Sequence, residues 1–559
     1  MAEELRSDPP ALSFILCAGA TAAAWWLIQN QHPGAEWFGI AGVIAAIFGL
    51  MWFSRGVDGL FVARRVRRVN RDVRRPGTAH GRSRWGRARD AKRAGMGRPG
   101  YFEIGTVGGR RVFKNGEGAA LIISPPGGGK TSRLVIPQLL QEQRDEHGRP
   151  MSMVVLDPSG EIQAVTARRQ RELRRETISI APHAGALTDE LGFEISDRGF
   201  NPLSVVAEAG EETKDIAWQL AKSHLPDDPR ASGSSKFFNT AAQRLILFLF
   251  MYLAYRGHPT LADARRLCMS DPEGWDLTLA DAQTSGAFGG TLGDLASMLI
   301  ATRASEGEWS GTVNTAVQAL EIFDDFGPVG RSVSAESGLS SFAELKTGPA
   351  KTVYITLPPE FAASHGAWQN LVLTAALEQM SRVRSNRKVL LLCDEIASSG
   401  QPAPAITRFI ALGRKVGLVP ALYLQSISQW TQIYGEPATR ELVAMSELIV
   451  ALGVRDRPSC QMLADLTGRT TVTQVSHNVQ PDVFGQAAQG YSSTVGAQGR
   501  PLLFPEEVRE LPEDEGVVIY KNAPPFLVTT TPYFRNPRLK RHADPNPYHR
   551  RRAPRGDRR

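Results

Sequence analysis

A chain of 559 residues is too long for one ordinary core, so at least two domains and some non-globular sequence are expected. Its four cysteines, Cys17, Cys268, Cys393 and Cys460, stand far apart with no CxxC pair, which argues against a disulfide framework and against a zinc site. The net charge of +8 resides in the flanks: residues 55–98 hold fifteen Arg/Lys against three acids and residues 535–559 hold ten against two, leaving −12 for the remainder. Basic appendages on an acidic body are not evidence of a nucleic-acid surface, despite the high pI.

In chain order, two runs without a charged residue come first, Ala11–Gln29 and Trp37–Ser54. Each approaches the roughly 20 residues a helix needs to cross a bilayer. A signal peptide is the alternative for the first, but the run is too long, lacks a basic start and is followed at once by a second span. His32-Pro33-Gly34 supplies a tight hairpin, and Trp25, Trp26, Trp37 and Trp52 fall at interfacial positions. Arg55 and the Arg-rich stretch after it orient everything downstream towards the cytoplasm. That stretch reads first as positive-inside topology with attraction to anionic headgroups, ~1 kcal/mol per basic residue. Direct DNA contact is the lesser reading, because aromatic interleaving is confined to Trp85 and Tyr101.

Ala119–Ser124 is an apolar strand that runs into Pro125-Pro126-Gly127-Gly128-Gly129-Lys130-Thr131-Ser132, followed by a helix-like LVIPQLL. Strand, glycine loop, Lys-Thr and helix form the context of a Walker A loop. The loop backbone turns its N–H groups around phosphate oxygens, Lys130 reaches the β and γ phosphates, and the Thr131 hydroxyl serves Mg²⁺. Ser124 stands where the first glycine is usual. Val389–Cys393 is a second buried strand, and Asp394-Glu395 at its end are expected to hold Mg²⁺ and to polarise the attacking water. Met153–Leu156 ends in Asp157-Pro158-Ser159-Gly160-Glu161, and Ala421–Leu424 in Gln425-Ser426. In open α/β sheets the carboxyl ends of strands line the ligand crevice, so Asp157, Asp394 and Gln425 are expected to converge. Gln425 senses the γ-phosphate or orients water on this reading; Asp157 also fits ordinary turn chemistry.

Between about 205 and 345 apolar residues recur at three and four, as in DIAWQLAKSHL and FFNTAAQRLILFLFMYLAY. Leu245–Tyr255 is too short to span a bilayer and reads as a buried helix. Val353–Leu357 resumes the strand pattern.

These residues resemble the TraG/TraD coupling ATPases of conjugation and type IV secretion. The likeness rests on the double anchor, the loop followed by VIPQLL, and DPSGE, where Ser159 departs from the family's lysine. FNPLS at Phe200–Ser204, LLCDE, GRKVGL at Gly413–Leu418 and LQSISQWTQIYG at Leu424–Gly435 extend it. Arg500–Tyr520 and Ala523-Pro524-Pro525 complete it, so that it covers roughly residues 10–535. The resemblance implies a RecA-like α/β P-loop NTPase domain with an inserted all-α domain, preceded by two transmembrane helices and assembled as a homo-hexamer. The expected divisions are 1–54 transmembrane hairpin, 55–99 basic juxtamembrane linker, 100–204 and 346–535 nucleotide-binding domain, 205–345 all-α domain, and 536–559 basic disordered tail. The resemblance further implies ATP and Mg²⁺ as cofactors, and single-stranded DNA, relaxase or relaxosome proteins and type IV secretion channel proteins as partners. By the same resemblance Arg414 is the arginine that reaches a neighbouring subunit, with Lys415 its competitor. An FtsK-like DNA translocase, a coupling ATPase for protein effectors, and a degenerate NTPase acting as a membrane receptor stay open as alternatives.

Overall fold

The computed structural model describes residues 78–227, 233–257, 260–335, 338–397, 403–480 and 490–549, with isolated positions between 19 and 48. The chain divides into two compact units, one of residues 1–83 with 469–501 and one of residues 84–468 with 502–559.

The strands in chain order begin with β1 (Phe102–Val107), β2 (Arg110–Lys114), β3 (Ala119–Ile123), β4 (Ser152–Leu156) and β5 (Glu176–Ile180). After a helical stretch come β6 (Lys351–Ile355), β7 (Val389–Cys393), β8 (Leu418–Leu424) and β9 (Ser446–Leu452). The last four are β10 (Arg469–Gln480), β11 (Gly490–Pro501), β12 (Glu515–Tyr520) and β13 (Phe526–Thr529). Among the described residues all but β10 and β11 form one sheet, in the order β2-β1-β13-β12-β9-β3-β8-β7-β4-β6-β5. The run from β9 to β5 is parallel, and the four strands at the other edge are antiparallel. Such a sheet is covered on both faces, which is why β3, β4, β7 and β8 are buried along their whole length and read as continuous apolar runs.

Alternate residues serve the two faces. Ile122, Val155, Leu392 and Tyr423 pack with Val135, Ile136 and Leu139 of the segment after the glycine loop. Ile123, Leu156, Cys393 and Leu424 belong to the cluster that continues into the helical insertion. That insertion separates β5 from β6, with helices from Ser204 to Thr347 and no strand among its described residues. Within it Ser234–Arg256 is, among the described residues, the one helix long and apolar enough to cross a membrane. Leu245–Leu253 are buried, so the eleven-residue apolar run is a core helix, as its length indicates.

Both basic segments carry structure among the described residues. The second half of the basic stretch is folded: Arg84–Pro99 carries a helix, Ala88–Arg93, whose Ala91 joins Met96 in the core. Arg84 spends its charge on Asp90 at 2.8 Å. Residues 536–549 of the tail are folded. Leu539 is buried, Asn536 caps the short helix Pro537–Lys540, and Asp544 pairs with Arg168 at 2.7 Å. A handful of specific tertiary anchors outweighs a composition that reads as disordered.

Most of the two N-terminal apolar runs lies outside the described residues. The described positions Trp25, Trp26, Ile40, Val43, Ile44, Ile47 and Phe48 are helical, with large exposed apolar side chains. In the same unit β10 and β11 pair with each other, from Arg469 opposite Pro501 to Gln480 opposite Gly490. The N–H of His80 donates to Thr471 Oγ1 at 3.0 Å, and Arg82 bridges Thr470. This ribbon was not visible in the sequence, where its polar Thr, Ser and Gln gave no apolar alternation to follow.

Candidate nucleotide site

Parallel strands deliver their following loops to one edge. Ile123 stands opposite Leu424, Leu422 opposite Cys393, and Cys393 opposite Leu156. The next residues in each strand, Ser124, Gln425, Asp394 and Asp157, are therefore neighbours along that edge. One strand, β8, separates the glycine loop from the Asp-Glu pair.

Ser124 continues β3, its N–H donating to Leu424 O at 2.9 Å. The chain then turns through Pro125–Gly129, with the Gly128 N–H on Pro125 O at 2.9 Å. Gly127 and Gly129 have φ of 78° and 88°, a conformation that strains any other residue. At Gly128 a Cβ would stand 2.4 Å from Ser124 Oγ, so the loop has no room for a side chain. Pro126 and Gly127 are exposed, whereas Lys130 is 6% exposed. Thr131–Val135 forms a π-helical turn ahead of the helix Ile136–Leu140, and Ser132 Oγ donates to Gly129 O at 3.4 Å. Single π turns inside helices occur frequently at functional sites.

Three of the predicted side chains, Lys130, Thr131 and Gln425, meet Asp394 or Glu395 directly. Lys130 Nζ donates to Glu395 Oε1 at 3.0 Å and lies 3.1 Å from Asp394 Oδ1, an ion-pair approach without hydrogen-bond alignment. Thr131 Oγ1 donates to Asp394 Oδ2 at 3.2 Å. Gln425 Nε2 donates to Glu395 Oε1 at 3.2 Å. Glu395 itself has φ of 52°, the kind of non-glycine strain that persists where surrounding contacts over-determine it.

The electrostatics favour an added cation. Burial raises the Asp394 carboxyl above its ordinary value even though Lys130 opposes the shift. Burial likewise pushes Asp157 up to about 7, with Asp394 and Glu161 adding repulsion and the Gln163 N–H, 2.7 Å from Oδ2, working against it. Glu161 is raised too, chiefly by burial. A single buried ammonium faces this group of carboxylates, so a divalent ion would relieve their repulsion. The donors available are a hydroxyl and carboxylate oxygens, which suit Mg²⁺. No three His, Cys, Asp or Glu side chains form a cage among the described residues, and Mg²⁺ typically uses one or two carboxylates plus phosphate oxygens. ATP and Mg²⁺ thus fit the residues present.

Arg414 is not part of this constellation. It is exposed in the last turn of the helix Pro404–Val416, which leads into the amino end of β8, the sheet edge opposite the glycine loop. Lys415 beside it is exposed as well.

The structure adds groups that sequence reasoning missed. Glu161 sits in the DPSGE run but was not singled out there. It accepts from Asn546 Nδ2 at 2.5 Å, and Tyr548 Oη donates to Ser159 O at 3.0 Å. The carboxyl-terminal segment therefore straps the loop that follows β4. Nothing local signals this, because the contacts span 385 and 389 positions.

Fold and loop together define a P-loop α/β protein of the nucleotide-binding class. The family model described as type IV secretory system conjugative DNA transfer matches residues 83–556, and the chain belongs to that family. The conjugal transfer protein TraG of Agrobacterium fabrum is 25% identical over 445 residues, 78% of this chain and 63% of the relative. The type IV secretion system-coupling protein VirD4 of Bartonella quintana is 22% identical over 436 residues, 75% and 63% of the respective chains. The chain thus spans about 63% of the length of these relatives. Among solved structures, the plasmid coupling protein TrwB in complex with ADP and Mg²⁺ superposes with a TM-score of 0.56 at 17% identity, covering 80% of this chain and 93% of TrwB. The unbound form of TrwB gives 0.56 at 18%, covering 80% and 92%. At such identities the likeness establishes the fold.

Proposed function

We propose that this chain is a membrane-anchored ATPase that couples ATP hydrolysis to the movement of single-stranded DNA, with its attached relaxase, into a type IV secretion channel. The observation that carries the reading is the meeting of Lys130, Thr131, Asp394, Glu395 and Gln425 in a member of the conjugative DNA-transfer family. TrwB, which shares the fold, binds ADP with Mg²⁺. The exposed apolar side chains of the amino-terminal helical positions support an anchor, since large apolar patches mark membrane or partner contact. The family supports relaxosome and channel proteins as partners and a homo-hexamer as the working assembly. The divisions expected from the sequence, a nucleotide-binding domain in two parts around an all-α domain, remain our reading of the organisation.

The chain's own residues supply most of the chemistry. Backbone N–H groups of Gly127–Thr131 and the helix beyond them receive phosphate oxygens. Lys130, buried and paired with two carboxylates, exchanges those partners for the β and γ phosphates. Thr131 Oγ1 and Asp394 would hold Mg²⁺, which would supply positive charge against the phosphate oxygens. Glu395 Oε1, freed of Lys130, takes the proton of the attacking water, while Gln425 holds that carboxylate in place. Asp157, deep beside Asp394, fixes the first turn of the helix Glu161–Glu172. Arg414 acts on a neighbouring subunit's site.

The test is ATP turnover by the whole chain in detergent, with and without single-stranded DNA. Turnover stimulated by single-stranded DNA and lost in Lys130→Ala is expected. Equal turnover in Lys130→Ala would defeat the reading.

A further inference from the structure

A cavity of about 640 Å³ lies beside the helix Glu161–Glu172, lined by residues of that helix, of β5 and of the segment 192–198. We propose that it is a binding site for inorganic phosphate, distinct from the glycine loop and coupled to it through Gln163.

The floor is β5. Thr177 and Ser179 lie on the cavity side, while Ile178 and Ile180 alternate into the apolar cluster on the other face. The helix contributes Gln163, Ala167 and Arg171; Arg175 comes from the turn before β5, and Arg198 from the facing segment. A sheet face beneath a helix is ordinarily apolar. This one carries hydroxyls, an amide and guanidinium groups beside Ala167 and Phe193.

Three buried polar atoms in this lining have no partner among the described residues: Gln163 Oε1, Arg175 Nε and Thr177 Oγ1. Gln163 is 4% exposed and Arg175 2%. Both are otherwise held rigidly. Gln163 Nε2 donates to Ser179 Oγ at 2.6 Å, and the Arg175 amino groups donate to Gln170 Oε1 at 3.3 Å and to Gln143 O at 3.1 Å. Buried polar groups are rarely left unpaired, and such exceptions point to a missing ligand or water. Two acids also line the cavity, Glu176, which is 3.0 Å from Lys351 so that its charge is compensated, and Glu194, beside Arg171, Arg175 and Arg198.

Guanidinium forks and a hydroxyl suit a tetrahedral oxyanion. The amide oxygen adds a condition. An acceptor beside donors favours an anion that still carries a proton, which hydrogen phosphate does at neutral pH and sulfate does not.

The coupling is mechanical. The Gln163 N–H holds Asp157 Oδ2 at 2.7 Å, so a ligand on the Gln163 side chain bears on the turn that fixes Asp157 and Glu161. Phosphate is the product of the hydrolysis proposed above, and this consequence rests on that reading. Binding does not.

The test is calorimetric titration of the whole chain carrying Lys130→Ala, using sodium phosphate against sodium sulfate and sodium chloride at equal ionic strength. A saturable phosphate site is expected, at least tenfold weaker for sulfate. Arg171→Ala with Arg198→Ala should weaken it at least tenfold at unchanged melting temperature, and Thr177→Val should weaken it independently. Absence of saturable binding, or binding untouched by these substitutions, overturns the site. With Lys130 intact, phosphate should lower kcat without raising KM, and Arg171→Ala with Arg198→Ala should abolish that effect. If titration succeeds while turnover is absent or indifferent to phosphate, the site stands and the coupling to hydrolysis falls.

Discussion

Lys130 Nζ lies 3.0 Å from Glu395 Oε1, although 265 positions separate the two residues in the chain. The same carboxylate oxygen accepts from Gln425, so one atom is held by two side chains. The oxygen of the proposed base is thus shared by an ammonium and an amide.

This arrangement separates the roles of two substitutions. Lys130→Ala should abolish both tight nucleotide binding and turnover. Glu395→Gln should keep binding and lower turnover by at least ~100-fold, the scale on which positioned general bases act. Equilibrium binding of a fluorescent ATP analogue, run beside phosphate release, distinguishes them. Normal hydrolysis by Glu395→Gln would remove the residue from its role.

Arg414, exposed at the opposite sheet edge, cannot serve the site of its own chain. A trans-acting arginine contributes ~10³ to 10⁵ in rate. Mixing Arg414→Ala with Glu395→Gln chains, each inactive alone, should restore partial turnover that depends on protein concentration. Co-assembly without rescue would count against the trans role, and full activity of Arg414→Ala alone would shift attention to Lys415.

The strap of Asn546 and Tyr548 on Glu161 and Ser159 should restrain the loop after β4. Asn546→Ala with Tyr548→Phe is expected to change KM for ATP several-fold while the melting temperature moves by only a few degrees. An unchanged KM would reduce the strap to packing.

His224 offers a pH readout far from the nucleotide. It is buried in the helical insertion, its Nε2 2.8 Å from Ala319 O, and burial pushes its pKa down to about 4. The unfolded chain takes up this proton near pH 6.5 and the folded chain only near pH 4. Stability from this residue is therefore complete above pH 6.5 and lost as the pH falls towards 4, by roughly 3 kcal/mol at most. Thermal melts of the wild type should fall more steeply across that window than those of His224→Gln; parallel curves would refute the assignment.

How much of this was legible beforehand depends on the range of the interaction. Val389–Cys393 appears as a strand with the bounds its apolar run suggests, and Ala119–Ile123 differs from its expectation by one residue. Lys130 and Thr131 were marked by the glycine loop after a strand, and Asp394, Glu395 and Gln425 by a strand ending in a polar group; the structure brings them together. The π turn, the left-handed Glu395 and the ribbon β10–β11 carried no such mark.

The sequence by itself determined the parallel strands, the glycine loop between strand and helix, and the helical character of the insertion. Each is a local matter of side-chain periodicity, apolar runs and the few residues able to turn a backbone tightly. Only the tertiary structure decided that Glu395 would be shared by Lys130 and Gln425, and that Asp157 would be buried until its carboxyl titrates near neutrality. It also decided that a basic, proline-rich tail would fold back onto Glu161. Those outcomes depend on which strands become neighbours and on how much water their packing excludes, and neither quantity is written in any one stretch of the chain.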